Sequence, residues 1–94
     1  MQYMKQNLAQ ALGLTRPVVV FDLETTGLSV INDRIVQIAY SISYPDGKTV
    51  EDCFLVNPGR LISPEAAAVH GFSDDMVANE PMFQEKAPAL IELF

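Results

Sequence analysis

Four consecutive apolar residues, Val18, Val19, Val20 and Phe21, run into Asp22-Leu23-Glu24 and then Thr25-Thr26-Gly27. An apolar run of this length without polar alternation is the pattern of a strand buried on both faces, and the Thr-Thr-Gly that follows lets the backbone turn where a ligand can approach closely. Side chains alternate along a strand, so Asp22 and Glu24 share a face. They stand at the carboxyl end of the strand, beside an open turn. Two anions held there are unfavourable unless a cation, a shared proton or another partner compensates, and carboxylate oxygens suit Mg²⁺ or Mn²⁺. A metal site is the first expectation.

Upstream, Met4, Leu8, Ala11 and Leu12 fall at helical spacing and Gly13 offers a stop, which predicts a short amphipathic helix over residues 3–12 preceding the domain. Downstream, Val36, Ile38, Tyr40, Ile42 and Tyr44 alternate with Gln37, Ala39, Ser41 and Ser43, the pattern of a long half-buried strand. Tyr44-Pro45-Asp46-Gly47-Lys48 is a turn, and Val50, Phe54 and Val56 form a third strand, making an antiparallel hairpin. Asn57-Pro58-Gly59 ends that strand. Ser63-Pro64-Glu65 has the cap, first-turn proline and early acid of a helix start, predicting a helix over Pro64 to Val69 that closes at Gly71. Ser73-Asp74-Asp75 reads as a second cap. Phe83, Ala87, Leu90, Ile91 and Phe94 mark a longer amphipathic helix from about Met82, with Pro88 requiring a kink or a late start.

Ninety-four residues with 49% hydrophobic content describe one small folded domain or half of a larger one. A net charge of -6, with Lys5, Arg16, Arg34, Lys48, Arg60 and Lys86 scattered, excludes a broad phosphate-tracking surface. It leaves open a site that grips one strand end through divalent ions and backbone amides. Cys53 has no cysteine to pair with, and the strand pattern around it predicts a buried or half-buried thiol in a reducing, cytoplasmic compartment. No apolar run approaches the length of a membrane span.

Phe21-Asp22-Leu23-Glu24-Thr25-Thr26-Gly27-Leu28 resembles the first motif of the DEDD superfamily of 3′-5′ exonucleases. Val69-His70-Gly71-Phe72, after Ser63-Pro64-Glu65-Ala66-Ala67-Ala68, resembles a second element of its proofreading branch, that of the exonuclease subunits of bacterial replicative DNA polymerases. The likeness runs from about Pro17 to Phe94, leaving residues 1–16 as an amino-terminal extension. It implies an α/β, ribonuclease-H-like exonuclease fold, of which residues 17–94 would be the amino-terminal half: a three-stranded portion of the sheet plus helices. It further implies that Asp22 and Glu24 are catalytic and ligate Mg²⁺ or Mn²⁺ in a two-metal phosphodiester hydrolysis. Thr25, Thr26, Gly27, Leu28, Glu65 and His70 would contact the 3′-terminal nucleotide of a single-stranded or frayed DNA end.

The family's later motifs, resembling His-Asn-x-x-Phe-Asp and His-x-x-x-x-Asp, do not occur in these residues. The expectation is an amino-terminal portion of a longer nuclease, inactive by itself, with a DNA polymerase as a partner of the parent. An unpaired strand edge would favour self-association of the chain. A reading from a different class, a non-catalytic nuclease-like module that binds a polymerase or another partner, gives no reason to keep Asp22, Glu24 and His70 together.

Overall fold

The computed structural model describes residues 7–29 and 31–94. Along the chain run helix α1 (Leu8–Ala11), strands β1 (Val18–Thr25), β2 (Ile35–Ser43) and β3 (Thr49–Leu55), and helices α2 (Pro64–His70), α3 (Asp74–Val77) and α4 (Phe83–Leu93). The strands form one antiparallel sheet in the order β1-β2-β3. Two compact units divide the chain, one holding the residues up to Asp22 with Ala39–Cys53, the other Leu23–Ile38 with Phe54–Phe94.

The first unit is the hairpin tip and the amino-terminal helix. The turn closes as its residues dictate: Tyr44 N–H donates to the Lys48 carbonyl at 2.8 Å, Gly47 N–H to the Tyr44 carbonyl at 3.0 Å, and the Asp46 carboxylate accepts from Lys48 N–H at 2.9 Å. Asn7 then fastens α1 to this turn. Its side-chain oxygen caps the helix by accepting from Gln10 N–H at 2.8 Å, while its amide donates to the carbonyls of Tyr44 and Lys48 at 3.0 and 3.1 Å. The helix ends as a Schellman motif, with Gly13 N–H on the Gln10 carbonyl and Leu14 N–H on the Ala9 carbonyl. Of the helix expected over residues 3–12, Met4 lies outside the described residues. In the rest, Ala9 is fully buried within this unit.

That packing corrects the reading of β2 as half-buried. Ala39, Tyr40, Ser41, Ile42 and Ser43 are all buried, so both faces of the strand are covered there. Small residues on the second face admit the helix, and Ser43 compensates its own burial by accepting a hydrogen bond from Leu8 N–H at 3.3 Å. Among the described residues no buried side-chain polar atom lacks a partner.

The second unit is built on Val36, Ile62 and Val77, with Leu55, Ala66, Ala67 and Phe72 packed against them. Helix α2 is capped by Ser63, whose hydroxyl accepts from Ala66 N–H at 3.1 Å. It ends at Gly71, whose φ of 77° is the left-handed conformation that glycine adopts without strain. At α3 the expected cap is corrected: Ser73 occupies the cap position without a side-chain bond, and Asp74 turns its carboxylate to Ile62 N–H at 2.9 Å. Asn57 N–H donates to the Pro81 carbonyl at 2.9 Å, which brings the chain after β3 alongside the start of α4. That helix starts at Phe83 and continues through Pro88, held against β3 by Lys86, whose ammonium lies 5.0 Å from the Phe54 ring centroid.

Two further burial expectations are overturned. β1 lies at the edge of the sheet, and Val19, Phe21 and Leu23 on one of its faces are 37%, 62% and 39% exposed instead of buried. Cys53 is exposed, because it shares the parity of Thr49 and Glu51 on the outward face of β3 while Val50 and Phe54 point in.

Candidate functional site

Where β1 gives way to the Thr-Thr-Gly turn, a cavity of about 560 Å³ opens between the end of the strand and one face of α2. Glu24, Thr25, Gly27 and Leu28 line it from the strand and turn, and Glu65, Ala66, Val69 and His70 from the helix. The helical residues recur at the spacing of one face, so α2 presents a single stripe to the cavity. Glu24 is half-buried here. Asp22, two residues earlier on β1, is exposed and belongs to the other unit. Among the described residues no group of three or more His, Cys, Asp or Glu side chains is gathered as a metal cage.

His70 joins helix to strand. Its Nε2 lies 3.0 Å from the Thr25 carbonyl, an acceptor only, so Nε2 carries the hydrogen and donates it. Nδ1 then accepts from Phe72 N–H at 3.1 Å, which makes the ring the neutral Nε2–H tautomer, stacked on Phe72 with centroids 5.2 Å apart. Both nitrogens are engaged in contacts within the protein.

The turn residues separate into different roles. Thr25 donates its hydroxyl to the Gly27 carbonyl at 2.7 Å and remains half-buried on the cavity wall. Leu28 is fully exposed at the rim, and Glu65 is exposed in the first turn of α2. Thr26, expected to meet a nucleotide, is fully buried, and every polar group it has is engaged within the protein. Its hydroxyl donates to Asp33 at 2.7 Å and accepts from Arg34 N–H at 3.0 Å; its N–H donates to the Arg34 carbonyl, and its carbonyl accepts from Ser63 N–H, both at 2.9 Å. Thr26 thereby ties the end of β1 to the start of β2 and to the cap of α2.

Asp33, which the sequence did not single out, is the hub of the turn. One carboxylate oxygen accepts from the Thr26 hydroxyl and the other from Ser29 N–H at 2.8 Å. The Thr26 hydroxyl first, and then the Ser29 N–H, hold this carboxyl below the usual aspartate range; partial burial opposes them, and Arg60, with Nε 4.0 Å away, adds to the lowering. An acid just before an apolar strand reads as an ordinary loop residue, and no periodicity marks it. Asp33 also lines a second, smaller cavity of about 380 Å³ with Thr25, Arg34, Asn57 and Phe83.

The sequence of residues 19–94 matches the family model described as Exonuclease. The chain belongs to that family. It is 48% identical over 71 residues to the DNA polymerase III subunit epsilon-like protein of Rhodobacter capsulatus, covering 71% of this chain and 10% of that protein. It is 41% identical over 70 residues to exodeoxyribonuclease 10 of Escherichia coli, covering 73% of this chain and 30% of that protein. Among solved structures, exonuclease X in complex with 5′ overhanging duplex DNA aligns with a TM-score of 0.64 and 38% identity, over 77% of this chain and 42% of the other. Exonuclease I shares the fold at a TM-score of 0.61, with 20% identity over 71% of this chain and 16% of that one. The chain thus spans less than half the length of each of these proteins.

Proposed function

We propose that residues 17–94 supply the first two catalytic carboxylates and the 3′-end pocket of a metal-dependent exonuclease that removes nucleotides from DNA 3′ ends, in proofreading or repair. What carries this reading is the convergence at one cavity of Glu24, the turn that follows it and the Glu65-to-His70 face of α2. Its likeness to exonuclease X, captured on a duplex with a 5′ overhang and hence a recessed 3′ end, supports DNA as the substrate.

Asp22 and Glu24 offer only oxygen donors, which fits Mg²⁺ or Mn²⁺, and they are the residues that would hold the ion. When bound, such ions orient the attacking water and offset charge on the leaving 3′ oxygen. The chain's own residues do the positioning. Gly27 and the exposed Leu28 edge the cavity where a terminal base would lie, an apolar contact that tolerates any base, and the ring of His70 closes the opposite wall. Glu65, on the same cavity lining, would accept a hydrogen bond from a hydroxyl of the terminal nucleotide. In the cell the protein would work in the cytoplasm beside a DNA polymerase, whose epsilon-type subunits are among its relatives. The test is erosion of 5′-labelled DNA by the complete gene product in Mg²⁺: a ladder shortening from the 3′ end is expected, and cleavage only at internal positions would overturn the reading.

A further inference from the structure

Gly27 is not glycine for the sake of its backbone angles, since it is absent from the glycines with positive φ. It is glycine because of Asp33. A Cβ at position 27 would fall 2.5 Å from Asp33 Oδ2 and 2.9 Å from Oδ1, inside any permissible contact, so the carboxylate occupies the space a side chain would need. From there it grips the turn on both sides of Gly27, accepting from the Thr26 hydroxyl at 2.7 Å and from Ser29 N–H at 2.8 Å, while its own N–H donates back to the Ser29 carbonyl at 3.0 Å. Arg60 braces the same stretch through the Asn32 carbonyl and its proximity to Asp33. Between these anchors stands Leu28, fully exposed at the cavity rim.

We infer that Asp33 is a positioning residue for nucleotide binding, holding Gly27 and Leu28 at the cavity so that Leu28 meets the terminal base without first having to be ordered. This rests on the exonuclease reading above. A leucine with its whole side chain in water gains nothing for the fold, and fixing it in place costs conformational freedom. Three hydrogen bonds spent on immobilising that turn repay themselves when the leucine has a ligand to meet, because ordering paid during folding is not paid again on binding. The carboxylate touches neither Asp22 nor Glu24 in the contacts described, so its effect falls on substrate affinity and not on the ion.

The experiment uses Asp33→Asn, Asp33→Ala, Gly27→Ala and the double variant Gly27→Ala/Asp33→Ala in the complete gene product. It reads KM and kcat on a 5′-labelled oligodeoxynucleotide, Mn²⁺ affinity by calorimetry and the melting temperature. Asn keeps the size of Asp33 but turns an N–H₂ toward one of its two donors. It should raise KM about tenfold with kcat within roughly threefold and Mn²⁺ affinity unchanged, the pattern of lost uniform binding. Gly27→Ala, which displaces the carboxylate, should raise KM similarly, and the double variant should be no worse than Asp33→Ala alone. Unchanged KM in Asp33→Asn, a parallel loss of kcat and Mn²⁺ affinity, or additive effects of the two alanines would each overturn the inference while leaving the exonuclease reading intact. If Asp33→Asn fails to fold, the KM of Gly27→Ala decides. A wild-type protein that erodes no 3′ end would defeat the exonuclease reading and this inference with it.

Discussion

Thr26 shows how a residue at the heart of a functional motif can be occupied entirely with structure. It is fully buried with its hydroxyl both donating and accepting, so Thr26→Val, nearly isosteric, strands the Arg34 N–H and withdraws a donor from Asp33. A loss of about 1–3 kcal/mol in urea unfolding is expected, against a smaller loss for Thr26→Ser, which keeps the hydroxyl. Asp33 gives this turn a pH signature. Its carboxyl is held below the ordinary aspartate value of 3.8, so the folded chain binds that proton less tightly than the unfolded one. The stabilisation is complete above the ordinary value and is lost as pH falls below it toward the lowered one. The melting-temperature difference between the natural protein and Asp33→Asn should therefore be flat from neutral pH down to about 5 and shrink on the acid side of 3.8. At the proposed metal ligands, Asp22→Ala or Glu24→Ala should slow DNA erosion by the complete gene product by about 10²–10³-fold, the usual loss for one electrostatic contact to the transition state. His70→Ala should cost less, because the ring holds the cavity wall and both its nitrogens are engaged within the protein.

At the scale of elements, α4 carries a removable defect. Pro88 sits in its interior and has no N–H to give to the Gln84 carbonyl four residues earlier, and its ring crowds that turn. Pro88 is exposed, so Pro88→Ala restores a hydrogen bond without touching the core. It should stabilise the chain by roughly 1–3 kcal/mol, less the entropy regained by the unfolded chain, readable as a higher melting temperature by circular dichroism. The caps of α1 and α2 work in the opposite sense, as features already optimised. Asn7 both caps α1 and anchors it to the carbonyls of the hairpin turn, and Ser63 caps α2 while its N–H holds Thr26.

For the whole molecule, the sheet order leaves β1 at an edge with Val19, Phe21 and Leu23 exposed on one face. A strand edge with apolar side chains beside it is a template for pairing with another chain. The 94-residue chain should therefore self-associate at micromolar concentration in sedimentation experiments, and Phe21→Lys should return it to monomer. A strictly monomeric natural chain would mean that this edge is not available for pairing.

Periodicity, turn residues and caps act over a few neighbouring positions, and they were legible without coordinates: the three strands, the Pro-Asp-Gly hairpin, the start of α2 at Ser63-Pro64 and its stop at Gly71. The Asp22–Glu24 motif and the Val-His-Gly element led in the same way to the family. Burial was not legible, because it depends on what covers an element from elsewhere in the chain. β1 reads as buried on both faces yet leaves Val19, Phe21 and Leu23 exposed on one of them, β2 reads as half-buried yet receives α1 on its second face, and Cys53 points outward with Glu51. The division of labour in the turn was hidden for the same reason. Thr26 and Asp33 are seven residues apart and meet only because β1 and β2 pair, so that one becomes a buried tie and the other the anchor for Gly27 and Leu28. Sequence determined which residues could form the site; the pairing of two strands decided which of them line the cavity and which hold the others in place.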